Sequence, residues 1–235
     1  MPIGAIVNSG ALALGGLAGA ALGNRLSEGK KRLLESLMGL CALVIAIVNI
    51  VKLQNLTAVI LSLILGTIAG ESMGLDNLVR KAVHTLLKHG GAAGSPERGG
   101  DWTSRFCVLV TLFVVSGTGV FGILKEGFEG DPSILVAKAA LDFFTALVFA
   151  ASLGKAVSLI GVAQFCVYMT LFLLARWIYP VISQQQIMNF NAVGGLIDLA
   201  IGLTLLDVKK FRTINFLPAF IFVFPLTILF GLLFG

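Results

Sequence analysis

Long apolar runs separated by short polar connections dominate the chain. A helix needs about 20 mostly apolar residues to cross the hydrocarbon of a bilayer. Eight runs reach that scale, roughly 3–23, 33–51, 56–75, 105–124, 133–154, 156–178, 187–206 and 216–234. The pattern predicts an all-α polytopic transmembrane bundle, a single membrane domain over residues 1–235, with an amphipathic segment and linker at 76–104. The seventh run is the weakest, strictly apolar only over 192–206, which leaves a short, tilted or re-entrant helix open. No Lys or Arg precedes the first run, so it lacks the basic start of a signal peptide and reads as a span.

Composition agrees with a lipid solvent. The 235 residues are 57% hydrophobic and 12% charged, against about 45–50% and about 25% in soluble domains. Charge this sparse cannot cover a globule, which excludes a soluble enzyme, a disordered chain and a disulfide scaffold. The net charge of +5 sits between apolar runs, so it points to membrane orientation and away from a nucleic-acid partner. Thirteen Lys and Arg fall in the odd-numbered connections and three (Lys52, Lys125, Arg176) on the opposite side, with Lys138 inside a span. The positive-inside rule makes the odd connections cytoplasmic and places both termini outside. Trp102 and the 176–180 stretch fall at interfaces, where amphipathic rings belong. Cys41, Cys107 and Cys166 each sit in an apolar run and read as small core hydrophobes. His84 and His89 lie in a charged connection, and neither they nor the cysteines have metal-ligand spacing. Residues 78–88 combine helical apolar spacing with basic residues, as in a helix lying on headgroups, and 90–100 reads as a Gly-rich linker.

Small residues mark close helix approaches. Gly15, Gly19 and Gly23 recur every fourth residue in span one, and Gly66, Gly70 and Gly74 do so in span three. Such stripes pack helices where lipid supplies no hydrophobic drive, either within the chain or along a seam between two copies. Span four carries Ser116, Gly117, Thr118, Gly119 and Gly122, a composition that kinks a helix or opens it onto a wet cavity. An internal echo joins Gly39-Leu40…Leu43 to Gly195-Leu196…Leu199 at a constant offset of 156. Spans one to three and six to eight run in opposite senses, so the echo predicts the inverted-topology repeat common in secondary transporters.

Charge inside the spans concentrates the cost. Lys or Asp at mid-bilayer costs about 2.5–3.5 kcal/mol on insertion scales, so such groups pair or face a cavity. Asp131-Pro132-Ser133 opens span five in the manner of an N-cap followed by proline. Lys138 and Asp142 follow on one face, extended by Thr145. A structural ion pair and a substrate or proton site are both consistent with that spacing. Glu71, at an unfavourable helix C-terminus, calls for a partner such as a loop arginine. Asp198 lies mid-depth in span seven behind Asn189 and Asn191. Asn8, Ser9, Asn49 and Gln164 complete the polar set, each suited to an interhelical hydrogen bond. Glu126, Glu129 and Asp131 make the outer 125–132 loop acidic, which suits either a plain solvated turn or a mouth that draws cations.

The stretch from Ser116-Gly117-Thr118-Gly119 through Gly130-Asp131-Pro132-Ser133 to Lys138 and Leu141-Asp142-Phe143-Phe144-Thr145 resembles the YqgA/YdfK-like family of bacterial inner-membrane proteins of unknown function. Asn8, Gly15-Gly16, Gly70-Glu71, the 191–195 stretch and Leu217-Pro218-Ala219 fit the same pattern, so the likeness spans the chain. It implies a multi-pass protein of the bacterial inner membrane and no established activity. Asp198 departs from the pattern, in which that position is usually apolar.

Together these features point to a secondary transporter or channel-like exporter of a small solute, proton or cation. Lys138 and Asp142 form its centre, with Asn8, Ser116, Gly117, Thr118, Gly119 and Thr145 around them and Glu71, Asp198 and Asn191 as secondary positions. The competing reading is a membrane scaffold or sensor whose buried charges serve packing and whose 76–104 segment recruits a partner. An enzyme is not expected, since HExxH, GxSxG and paired aspartyl motifs are absent. No cofactor or metal is expected; the bilayer is the first partner, and a homo-oligomer is left open.

Overall fold

The computed structural model describes residues 1–23, 25–89, 100–114 and 116–234, excepting the side chains of 82–84, 86–89, 100, 101 and 234. The protein is 87% helix, without strands among the described residues. The α-helices are α1 (Ile3–Gly23), α2 (Glu28–Ile50), α3 (Leu56–Ser72), α4 (Leu75–His89), α5 (Gly100–Val114), α6 (Gly117–Glu129), α7 (Ser133–Leu153), α8 (Ser158–Ile178), α9 (Gln184–Leu205) and α10 (Ala219–Phe234). Short 3-10 turns at Lys155–Val157, Tyr179–Val181 and Thr213–Phe216 join the last four.

Among the described residues, seven helical stretches are long and apolar enough to cross a bilayer, and an eighth is reached if α3 and the start of α4 count together. That pair is bent by 57°. The third run was expected to extend to residue 75, but α3 stops at Ser72 after 17 residues, about 25 Å of helix. Gly74 takes φ +62°, the left-handed region, and turns the chain into α4. A Cβ on Gly74 would meet nothing within 4 Å, so this glycine makes the turn and does not belong to the packing stripe. The seventh run is a continuous helix of 22 residues. Its start lies at Gln184, earlier than apolarity indicates, because Ser183 and Gln186 form a reciprocal capping box. Likewise α7 begins one residue later than its sequence suggests, with Pro132 at the cap, while Asp131 still accepts from the Ser133 N–H at 2.9 Å. His84 and His89 lie in helix α4 and not in an open loop. Residues 90–99 of the expected linker are outside the described residues, and Gly100 already belongs to α5.

The glycine stripes pack within the chain. Cβ atoms on Gly15, Gly19 and Gly23 would stand 2.3, 2.0 and 2.5 Å from the carbonyl oxygens of Phe143, Leu147 and Ala151. Both rows step by four residues, so α1 and α7 lie backbone to backbone in matched register. Gly66 and Gly70 of α3 make the same approach to Ala219 and Asn215, where a Cβ would reach 2.3 Å from nitrogen and 2.2 Å from oxygen.

The α2–α9 seam is reciprocal. Gly195 faces the Ala46 carbonyl and Gly202 faces the Gly39 carbonyl, while Gly39 meets Leu205 and Leu206 and Gly195 meets Asn49 and Ile50. Residues 39, 46, 49 and 50 correspond to 195, 202, 205 and 206 at the one offset of 156. Such reciprocity is what a two-fold relation between helices produces.

Inside the bundle, three apolar clusters centre on Leu12, Phe113 and Phe149, on Val59, Val193 and Ile201, and on Ile123, Leu135 and Tyr168. Outside it, Leu14, Val44, Ile68, Leu173, Ile221 and Leu232 are exposed, an apolar shell suited to lipid. Cys107 is buried as expected, but Cys166 is exposed on α8, and Cys41 is exposed where α2 borders a cleft.

Candidate functional site

Span four breaks where the sequence places Ser116 and its glycines. Helix α5 ends at Val114 and α6 restarts at Gly117, with the Ser116 hydroxyl accepting the Gly119 N–H at 3.1 Å. A break inside a span leaves backbone groups that need new partners. The Phe113 carbonyl receives Gln164 Nε2 at 2.9 Å and Tyr168 Oη at 3.4 Å, both from α8. Gly119 makes room for that hydroxyl, since a Cβ there would stand 2.0 Å from Tyr168 Oη.

The charged pair lies beside this break. Lys138 and Asp142 are one turn apart on α7, and both are buried. Lys138 Nζ donates to Asp142 Oδ2 at 2.5 Å. The same oxygen accepts Asn8 Nδ2 of α1 at 2.9 Å and, more distantly, Gln164 Nε2 at 3.4 Å. Three helices thus converge on one carboxylate, α1, α7 and α8, and Gln164 ties it to the α5–α6 break. Sequence reasoning named Asn8, Lys138, Asp142 and Ser116 for the site. It held Gln164 only as a packing amide and missed Tyr168. A signal for Gln164 was present, because Asn8 and Gln164 are separated by the same 156 residues as Gly39 and Gly195.

A cleft of about 460 Å³ opens from the pair, between α2, α7, the α5–α6 break and α9. Its polar lining is Asn49, Ser116, Thr118, Lys138, Asp142, Thr145 and Asp198. Apolar side chains such as Met38, Ala42, Ile45, Val48, Leu112 and Leu141 supply most of the wall. Thr145 donates to the Leu141 carbonyl at 2.8 Å and lies 3.8 Å from the Met38 sulfur. Among the residues expected to line the site, Asn8, Gly117 and Gly119 do not line the cleft, and Asn8 reaches it only through Asp142. Gly117 packs against α9 beside Asn191, whose Oδ1 is buried without a partner among the described residues. Asp198 reaches the cleft from the opposite wall and is only 6% exposed. Its carboxylate makes no hydrogen bond or ion pair with a described residue.

The remaining charges lie at the two ends. Glu71 receives Arg212 at 3.1 Å and the Asn215 amide, far from the cleft. At that same basic end a second cavity of about 250 Å³ is bounded by Glu35, Asp76, Arg80, Arg105 and Asp207. Arg105 there bridges Glu35 at 2.7 Å and Asp207 at 3.8 Å. At the other end the acidic loop is already occupied. Glu126 accepts the Gly4 N–H at 2.7 Å, Glu129 accepts the Tyr179 hydroxyl at 2.7 Å, and Asp131 pairs with Lys125 at 2.6 Å. These carboxylates therefore do not form the free cation funnel that their sequence suggests. Among the described residues no three His, Cys, Asp or Glu side chains gather as a metal site.

A bundle of this hydropathy, with a broken span and buried charges around a central cleft, defines the class: a polytopic helical membrane protein. A family model described as a protein of unknown function, DUF554, matches residues 3–228, and the chain belongs to that family. It is 40% identical over 230 residues to the uncharacterized protein YqgA of Escherichia coli (strain K12), covering 97% of each chain. It is 27% identical over 160 residues to the uncharacterized membrane protein YdfK of Bacillus subtilis (strain 168), covering 68% of this chain and 65% of that one. No solved structure matches.

Proposed function

We propose that the protein is a secondary transporter of a small solute or ion in the bacterial inner membrane, working by alternating access around Lys138 and Asp142. The observation that carries the reading is the position of this pair: it is buried at mid-helix yet forms part of the wall of a 460 Å³ cleft. Intramembrane ionisable residues are costly, and in solute pathways they line cavities. The α5–α6 break adds irregular backbone where it borders that cavity. The reciprocal α2–α9 seam supports an inverted repeat, the architecture through which many transporters rock about a central site.

In this reading the basic end is cytoplasmic and both termini are periplasmic. The Arg105 bridge to Glu35 and Asp207 closes the cytoplasmic end, and its rupture opens the inward path. Lys138 and Asp142 neutralise each other while the site is empty, and a solute or proton that binds one of them frees the other. The scaffold reading draws on the pair's satisfied hydrogen bonds, which also suit a static core.

Cys41, on the cleft wall, provides a substrate-independent test. In a Cys107→Ser, Cys166→Ser background, a membrane-impermeant methanethiosulfonate is applied to right-side-out and to inverted vesicles. Alternating access expects Cys41 to react from both sides, with the balance shifted by Asp142→Asn. A Cys41 inert from both sides rejects transport through the cleft and favours the scaffold.

A further inference from the structure

We propose that Asp198 makes the cleft a binding site for a monovalent organic cation, an alkylammonium-type solute with an apolar body. The inference names the substrate class of the site above and rests on that reading for its role in transport.

Charge decides the sign of the ligand. Lys138 is paired with Asp142 at 2.5 Å, and its charge also reaches Asp198, so the cleft sets one cation against two carboxylates. Asp198 stands in the same cleft with no hydrogen bond or ion pair to a described residue, although it is 94% buried by its 6% exposure. A carboxylate withdrawn from water without a hydrogen bond is costly. A ligand bearing one positive charge removes that penalty. An anion would meet two carboxylates, and a neutral solute would leave Asp198 uncompensated.

Size and lining decide the body. The cleft's 460 Å³ falls within the range of small-molecule sites, about 300–1,000 Å³, and far exceeds a bare ion. A metal cation needs several oxygen ligands, whereas most of this wall is aliphatic. The hydroxyls of Ser116 and Thr118 and the Asn49 amide are the polar groups left to meet an ammonium's remaining N–H bonds. The rim residues Val44, Val48 and Leu141 are exposed on the flank of the bundle. An apolar-bodied cation that partitions into the bilayer therefore reaches Asp198 sideways, between α2 and α7.

The test is equilibrium binding by calorimetry to the purified full chain in nanodiscs. The probes are n-hexylammonium, hexanol, hexanoate and sodium ion. Hexylammonium is expected to bind at least tenfold more tightly than each of the other three. Asp198→Asn is expected to erase that preference, and Asp198→Glu to keep it. Val44→Trp, at an exposed rim position, is expected to weaken hexylammonium by blocking the cleft while leaving Asp198 in place. In the absence of probe, Asp198→Asn is expected to melt no lower than the parent, because it removes an unpartnered charge. Equal binding of hexanol and hexylammonium, or an unchanged preference in Asp198→Asn, overturns the cation assignment. Binding of hexylammonium to a protein whose Cys41 fails the vesicle test upholds this inference and rejects transport. Two-sided Cys41 access without any ammonium preference does the reverse.

Discussion

Removing Asp142 isolates the energetics of the charged centre. In the native protein its Oδ2 accepts Lys138 Nζ at 2.5 Å and Asn8 Nδ2 at 2.9 Å. Deleting one partner of a buried ion pair costs about 3–5 kcal/mol, because the other charge is stranded. Asp142→Leu is therefore expected to lower stability by at least about 3 kcal/mol, more than a hundredfold in the folding equilibrium. Lys138→Met leaves the carboxylate its Asn8 and Gln164 donors, so its cost falls at the low end of that range. Replacing both, as Lys138→Met with Asp142→Leu, strands no charge; the residual cost is the orphaned Asn8 amide, about 1–3 kcal/mol. The assay is unfolding in dodecylmaltoside micelles by rising mole fraction of sodium dodecyl sulfate, with the four proteins as a double-mutant cycle. A double variant as destabilised as the sum of the two singles would refute the reasoning, for it would mean that the side chains are uncoupled.

Three further outcomes follow from the packing and the ends of the helices. Gly19→Val drives methyl groups into the Leu147 carbonyl, where even a Cβ would stand at 2.0 Å, and should cost at least about 1–3 kcal/mol in the same assay. Gly10→Val, with nothing within 4 Å, should fall well below it. Lys125 Nζ, then the Ser133 hydroxyl and N–H, donate to Asp131 and hold its carboxyl well below the usual carboxylate range. A depressed native pKa gives stability that is present above the unfolded value of about 4 and lost as pH falls through the native one; thermal melts of Asp131→Asn should accordingly lose less between about pH 5 and pH 3 than those of the parent. Ser183→Ala removes the capping box of α9 and should lower stability by about 0.5–2 kcal/mol, read by the same detergent titration.

The comparison of pattern with structure turns on what kind of information each residue carries. Glu71 could be recognised as needing a partner because a carboxylate at a helix C-terminus is unfavourable wherever the helix lies; that its partners are Arg212 and Asn215 depends on how α3 meets the chain before α10. Gly15, Gly19 and Gly23 announce a close approach through their spacing alone. Gly74 shares that spacing but serves a turn, because a four-residue period does not report φ. The acidic outer loop looks open in sequence, yet Gly4, Tyr179 and Lys125 arrive from elsewhere to occupy it.

Apolar run length and charge sparsity were enough to determine that this chain is a multi-span helical membrane protein, since both follow from the thickness and dielectric of the bilayer and need no partner. The placement of Lys138 and Asp142 on one helical face was equally local, a consequence of 3.6 residues per turn. Tertiary structure alone decided that Asn8 and Gln164 share one carboxylate oxygen, that the broken fourth span hands its Phe113 carbonyl to α8, and that Asp198 faces them across a cleft without a partner of its own. The hydrogen bonds among them join residues 22, 51 and 134 positions apart, on different helices. They are set by which helix backbones can approach, and apolar sequence says little about that because one lipid-facing side chain substitutes for another at almost no cost.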